Sequence, residues 1–319
     1  MEKELLSEIL KAERRIRPFT LTTPLLHSLP LSQYGANVYL KLESEQYTGS
    51  FKARGSMNKV LALTPEERKC GVVTASTGNH GQGVARAAKE AGIKCVVFVP
   101  KNADPSKIEA IEQYGARVRY TEAGASETIS HGQAKQYANE HHMAWVSPYN
   151  DLQVIAGQGT IAIELVSQLV GIDYVFITVG GGGLISGIAT YLSAVSPETK
   201  VVGCLPEHSP EMYRSVQAGK FVPFQSMPTL SDGSAGGFEE DSVTLPLCRE
   251  LVKDWTLVSE GEIKDAIQFV LSAHHKLIEG AAGVAIASYL KRKEEFVGKN
   301  VAILICGSNI ASATLKAIL

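Results

Sequence analysis

From residue 71 to residue 305 the chain alternates short apolar runs with helical stretches of roughly 10–15 residues, which fixes the kind of sheet it can build. A strand that returns through a helix runs parallel to its predecessor. The expected architecture is therefore α/β, with open, mostly parallel sheets covered by helices on both faces. Strands are expected over 38–43, 71–75, 94–99, 116–120, 174–179, 200–205 and 300–305. Helices are expected over 4–16, 81–91, 154–169, 184–195 and 259–275, with a short closing helix after the last strand. Thr64-Pro65-Glu66-Glu67 has the form of a helix start, with proline in the first turn and glutamate closing a capping box. Ser106-Lys107-Ile108-Glu109 reads as a second capping box.

A length of 319 residues suits about two domains sharing one fold, and 45% hydrophobic residues supply a sizeable core. The net charge of −2, with both signs interspersed, leaves no basic footprint for nucleic acid and no polybasic patch for a membrane surface. The charged amphipathic start lacks the apolar core of a signal peptide, and no run approaches the ~18 apolar residues of a membrane span. Five widely spaced cysteines offer neither a disulfide framework nor a CxxC metal clip, and Cys95 and Cys204 fall in strand-like runs as small core residues. A soluble, reduced, cytoplasmic protein is expected.

Gly180, Gly181, Gly182 and Gly183 follow the apolar run Val175-Phe176-Ile177-Thr178-Val179 and precede a helix. Consecutive glycines let backbone N–H groups approach an anion, and a helix N-terminus adds a favourable dipole. The dinucleotide pattern GxGxxG does not fit, because the sixth position is Ile185 from Gly180 and Ser186 from Gly181. A phosphate loop for one small cofactor is the better reading; a plain flexible turn is the bland one. Lys52 stands among Gly49, Ser50, Ala53 and Gly55, after Phe51. A lysine used for imine chemistry must lose its proton near neutral pH, which an apolar wall and a nearby cation favour. Otherwise it is a surface lysine. Asn79 and His80 read alone as helix-capping groups at a strand–helix junction, Glu279 as a helix-end carboxylate, and Cys306 as packing at the end of a strand.

Four segments in order resemble the fold-type II pyridoxal-phosphate enzymes, and within them the serine/threonine dehydratase (ammonia-lyase) and serine racemase group. They are Thr48-Gly49-Ser50-Phe51-Lys52-Ala53-Arg54-Gly55, Ser76-Thr77-Gly78-Asn79-His80-Gly81, the glycine tetrad with Leu184, and Cys306-Gly307-Ser308-Asn309. The resemblance covers nearly the whole chain. It implies a small domain, 71–148, inserted into a large domain of 1–70 and 149–319, with pyridoxal 5'-phosphate in the cleft between them. It further implies that Lys52 is the catalytic, imine-forming lysine, that Phe51 and Gly233 pack against the two faces of the cofactor ring, and that Asn79 bonds the ring hydroxyl. Gly180, Gly181, Gly182, Gly183 and Leu184 would hold the phosphate, with Glu279 beside the ring. Cys306 would face the ring nitrogen as a neutral partner, which favours β-elimination. Ser76, Thr77 and Gly78, with Asn79 and His80, would bind the substrate.

The implied activity is conversion of L-threonine, L-serine or a related β-hydroxy amino acid to a 2-oxo acid and ammonium. The alternative is an amino-acid racemase, weakened by Thr77, where racemases of this group carry serine. A non-catalytic binder is disfavoured, since it need not keep Lys52. Many relatives bind a cation through a glutamate just before a proline; here Leu205 precedes Pro206, with Glu207 and Glu211 out of register, so no metal is expected. A homodimer is implied, and the chain ends too soon after Asn309 for the C-terminal regulatory domain of biosynthetic threonine dehydratases.

Overall fold

The computed structural model describes residues 1–122 and 127–319. Its strands are β1 (Leu25–His27), β2 (Asn37–Leu42), β3 (Val72–Ala75), β4 (Cys95–Pro100), β5 (Arg117–Thr121), β6 (Ala144–Trp145), β7 (Tyr174–Thr178), β8 (Lys200–Pro206), β9 (Asp254–Val258) and β10 (Asn300–Ile305). The helices before β7 are α1 (Glu2–Ile16), α2 (Leu29–Ser32), α3 (Lys52–Leu61), α4 (Pro65–Cys70), α5 (Asn79–Ala91), α6 (Pro105–Glu112), α7 (Glu127–Glu140) and α8 (Leu152–Gln168). Those after it are α9 (Gly183–Val195), α10 (Glu211–Ala218), α11 (Thr244–Leu251), α12 (Glu260–His274), α13 (Gly280–Arg292) and α14 (Ser312–Ile318).

Two sheets result, ordered β1-β2-β10-β7-β8-β9 and β5-β4-β3-β6. Every pairing is parallel except β1 with β2. The last strand, β10, sits inside the larger sheet between β2 and β7. Its residues Val301 to Ile305 are all buried, as expected of a strand covered on both faces. The C-terminal ends of β7 and β10 therefore emerge side by side and deliver residues 180–183 and Cys306 to one edge. In open α/β sheets this edge is where ligands bind.

Packing follows from periodicity. In α1, Leu5, Ile9, Ala12 and Ile16 form one buried stripe at helical spacing, and the first three pack with Ile155 and Ala156 of α8. The capping boxes at Thr64–Glu67 and Ser259–Glu262 both form. The one expected at Ser106 does not. Asp104 caps α6 instead, accepting from the Ser106 amide at 2.9 Å, and Pro105 takes the first helical position, so Ser106 already lies inside the helix. Helix α5 starts at Asn79, two residues earlier than expected. Gly78 is its cap residue, and neither Asn79 nor His80 serves as a cap. Strands β1, β6 and β9 and helices α2, α7, α10, α11 and α13 lie outside the expected elements; β1 and β6 are only three and two residues long.

Behind Lys52 lies a buried ion network. Arg54 reaches both oxygens of Glu43 at 2.8 Å and Glu164 at 2.7 Å, while Lys41 reaches Glu164 at 2.5 Å and the Thr23 carbonyl at 2.8 Å. Arg54, Lys41 and Glu43 are fully buried. Two cations and two carboxylates compensate each other, holding Arg54 firmly charged and the Glu164 carboxyl below its usual range. Removing one partner leaves an uncompensated buried charge, which costs about 3–5 kcal/mol. Glu43→Gln should lower unfolding free energy by an amount of that order in urea titration. A loss near zero would mean that water reaches the network.

Candidate active site

A cavity of about 300 Å³ opens at the shared edge of the two sheets. Lys52, Phe51 and Cys306 line it from the start of α3 and the end of β10; Ser76, Thr77, Gly78, Asn79 and His80 line it from the β3–α5 junction. Gly180, Gly181, Gly182, Gly183 and Leu184 form the wall at the start of α9, and Gly233 and Glu279 complete the ring. The residues that the resemblance assigns to cofactor and substrate thus all line one cavity, although they come from distant parts of the chain.

The tetrad has to be glycine. A Cβ at Gly180 would stand 2.7 Å from the Ser234 carbonyl oxygen, and one at Gly181 2.4 Å from the Tyr149 ring. Gly182 has φ +83°, and a Cβ there would meet Met212 and Thr244 at 2.9 Å. The Gly181 carbonyl is turned outward, where it accepts from the Thr244 hydroxyl at 2.7 Å. The cap residue of α9 is Gly182, which brings no side chain to its first amides, and the first turn of a helix has no intrahelical acceptor for them. Bare amides at the start of a 13-residue helix make a cradle for a phosphate-sized anion.

Lys52 Nζ donates to the Pro148 carbonyl at 2.7 Å and lies 5.2 Å from the centre of the Phe51 ring. His80 is buried in the opposite wall. Its Nε2 lies 3.0 Å from the Val146 carbonyl, which can only accept, so Nε2 carries the proton. Its Nδ1 is buried and has no partner among the described residues. Burial, reinforced by the Lys52 cation, pushes the His80 pKa down to about 3, so the ring is neutral.

Glu279 is 4% exposed and precedes α13 without capping it. Its two oxygens accept from Asn79 Nδ2 at 2.9 and 3.0 Å, and Oε2 also accepts from the Asn309 amide at 3.0 Å. Asn309 Nδ2 in turn donates to Asn79 Oδ1 at 2.6 Å. Asn309 is the member of this network that sequence reading did not assign, although it ends the last quoted motif. Burial pushes the Glu279 pKa up to about 7, against the opposing effect of these hydrogen bonds. Burial likewise raises the Cys306 thiol well above its usual range, so it stays protonated.

Sequence reading also missed Tyr149, whose ring packs under the tetrad, and the lining side chains Phe98, Lys107, Ser130 and His131, none of which carries a local motif. Asp232 precedes Gly233 in the run 231–237, whose sequence resembles dehydratases of bulkier β-hydroxy amino acids such as phenylserine or hydroxyaspartate, but it had no role of its own in that reading. Near the expected cation position, Leu205 is core, Glu207 pairs with Lys291 at 3.6 Å, and Glu211 accepts from the Ser209 hydroxyl at 2.7 Å. Among the described residues, no cluster of His, Cys, Asp or Glu is arranged to hold a metal ion, and no helix is long and apolar enough to cross a membrane.

Comparison with known proteins agrees with this geometry. A family model described as pyridoxal-phosphate dependent enzyme matches residues 16–307. The chain is 40% identical over 306 residues to an L-threonine ammonia-lyase of Thermotoga maritima, covering 96% of this chain and 75% of that one. It is 37% identical over 310 residues to a catabolic L-threonine dehydratase of Staphylococcus aureus, covering 96% and 89%. Among solved structures, maize serine racemase superposes with a TM-score of 0.92 at 30% identity, covering 98% of this chain and 95% of that one.

The raised Glu279 pKa has a defined sign. The folded value of about 7 lies above the ordinary 4.5, so the folded, cofactor-free protein retains a proton that the unfolded chain has lost between these values. This contribution to stability is fully present below about pH 4.5 and is lost as pH rises through about 7. Thermal melts of the cofactor-free protein should fall across that window, and Glu279→Gln should flatten the fall. Parallel curves for the two proteins would refute the assignment.

Proposed function

The chain belongs to the family of pyridoxal-phosphate dependent enzymes, and from that premise we propose that it is a β-eliminating ammonia-lyase. Its substrate is L-threonine, L-serine or a related β-hydroxy amino acid, its cofactor is pyridoxal 5'-phosphate, and its products are a 2-oxo acid and ammonium. The carrying observation is that Lys52, the bare amides of the tetrad and the β3–α5 loop converge on one cavity in a chain 40% identical to an L-threonine ammonia-lyase.

When bound, pyridoxal phosphate supplies an electron-withdrawing ring that makes the α-proton of an attached amino acid removable. The amides of residues 180–184 would hold its phosphate, Phe51 and Gly233 would border the ring, and Asn79 and Glu279 would stand beside it. Cys306, protonated and uncharged, would serve as a neutral partner for the ring nitrogen. Ser76, Thr77 and Gly78 cradle the substrate carboxylate, with Asn79 and His80 completing the substrate site. The neutral His80, with Nε2 committed to Val146, offers Nδ1 only as an acceptor, which suits an N–H or O–H of the substrate and not its carboxylate. Lys52 anchors the cofactor and, once released, takes the α-proton on Nζ. Loss of that proton and of the β-hydroxyl removes water. Hydrolysis of the resulting enamine returns it and sets ammonium free.

We further place the smaller domain at 71–148, the larger at 1–70 and 149–319, and the protein in the cytoplasm as a homodimer. The open outer edge of β1, with Leu26 and the nearby Leu21 and Leu29 exposed, supports a partner copy on that side. The likeness to maize serine racemase favours one second reading, racemisation with Lys52 and Thr77 working opposite faces of the substrate.

The deciding experiment supplies L-threonine and L-serine to the holoenzyme and follows 2-oxo acid and D-amino acid together. Faster formation of D-serine than of pyruvate would overturn the lyase assignment. Lys52→Ala should lose activity by at least the ~10²–10⁴-fold typical of a general base, since the cofactor anchor goes with it. Residual turnover above a few per cent would point to another lysine. Gly182→Val, measured by equilibrium dialysis, should bind the cofactor more weakly than the parent; equal affinity in a folded variant would remove the tetrad from the phosphate site.

A further inference from the structure

The lining of the cavity includes an ion pair that reaches solvent. Helix α6 contributes Lys107, and the short turn Asp232–Ser234 contributes Asp232. Lys107 Nζ lies 3.1 Å from Asp232 Oδ2; the lysine side chain is 20% exposed and the carboxylate 63%. Both line the cavity as well as reaching solvent, and both charges are felt by Glu279 inside it, that of Asp232 more than that of Lys107. Lys135, outside the cavity lining, is matched by Glu239 at 2.5 Å, and Glu239 is held in turn by Asn150 at 2.6 Å. His131, buried beside them, has its pKa lowered by burial and adds no charge near neutral pH. Lys107, the cation at the mouth of the cavity, therefore already has its own carboxylate.

A substrate held by its α-carboxylate and amine near Lys52 and the β3–α5 loop has its side chain left to meet the rim of the cavity. A second carboxylate on that side chain would seek Lys107. It would find the lysine engaged and Asp232, of like charge, beside it. Like-charge juxtaposition is an effective way to reject a wrong ligand. Because Asp232 is mostly exposed, its ion pair adds little to fold stability, and its consequence is felt at the mouth of the site.

We propose that Asp232 determines side-chain specificity: by occupying Lys107 at the rim, it restricts the site to β-hydroxy amino acids with uncharged side chains and refuses 3-hydroxy dicarboxylic amino acids. This inference rests on the lyase reading above. The reaction is unchanged; what Asp232 alters is which substrate reaches Lys52.

The test compares holoenzymes using L-threonine and L-threo-3-hydroxyaspartate, each followed as 2-oxo acid. The parent should prefer L-threonine. Asp232→Asn frees Lys107 for a charge-assisted bond to the second carboxylate. It should shift the ratio of kcat/KM toward hydroxyaspartate by about tenfold or more. The double variant Asp232→Asn/Lys107→Gln should lose that shift. Calorimetric binding of L-aspartate, which has no β-hydroxyl to lose, should strengthen in Asp232→Asn by a similar factor, and Asp232→Ser serves if the asparagine variant does not fold. A parent that prefers hydroxyaspartate, an unchanged ratio in Asp232→Asn, or a shift that survives loss of Lys107 would each overturn the proposal. Failure of the parent to release 2-oxo acid from L-threonine or L-serine would instead sink the lyase reading itself.

Discussion

The seating of β10 between β2 and β7 is the constraint from which the site follows. Six residue pairs register it against β2 and three against β7, all parallel. Parallel ladders send every strand out at the same edge, so the position of Cys306 relative to the tetrad is set as soon as the ladder closes. The end of β10 then clamps the Lys52 segment. The Phe51 amide donates to the Cys306 carbonyl at 3.0 Å, the Ser308 amide to the Gly49 carbonyl at 3.0 Å, and Asn309 Nδ2 to the Thr48 carbonyl at 2.8 Å. Thr48 is held at φ 63°, a conformation a threonine seldom adopts, and the bond from Asn309 is part of what holds it there. The lysine is thus fixed from the far end of the chain, by residues more than 250 positions away.

The ion network beneath adds the second anchor. Arg54 follows Lys52 by two residues in the first turn of α3, and its bonds to Glu43 and Glu164 tie that turn to β2 and α8. Ion pairs out of water stabilise a fold only when geometry and further hydrogen bonds are good, and they fix one arrangement more reliably than they add free energy. Here Thr23, Thr160 and Gln168 supply those further bonds. The arrangement they fix is the one that directs Lys52 into the cavity, where it meets the Pro148 carbonyl.

How much of this was legible in the chain depends on whether the signal was local. The apolar runs of β7 and β10 and the glycines after β7 are local signals, and they placed the parallel sheet and the tetrad. The Asp104 cap was local too, but Pro105 next to it shifts the helix start by two residues, and Ser106 only imitates a cap. Strand β9 is half-buried and β1 has three residues, so neither has a pattern long enough to read. At the site, residue identities were legible one by one, and the resemblance to known enzymes supplied their grouping. Their bonds were not legible. The pairing of Asn79 with Glu279 spans 200 residues and that of Lys107 with Asp232 spans 125, distances over which spacing carries no information.

The electrostatics divide the cavity into two zones that do different work. In the depth, burial drives ionisable groups toward their neutral forms: His80 loses its proton readily, Cys306 keeps its own, and Glu279 holds one up to about pH 7. The Lys52 cation and the amides that open α9 are left to attract negative charge, which suits a phosphate and a carboxylate arriving together. At the rim, water screens the ions and each is matched by an opposite partner, so charge there selects by exclusion and contributes little to binding strength. Attraction at the bottom recognises what all α-amino acids share, and compensation at the top reads what distinguishes one side chain from another. A change in specificity therefore needs only a rim charge to change, with the β10 ladder and the network under Arg54 left untouched.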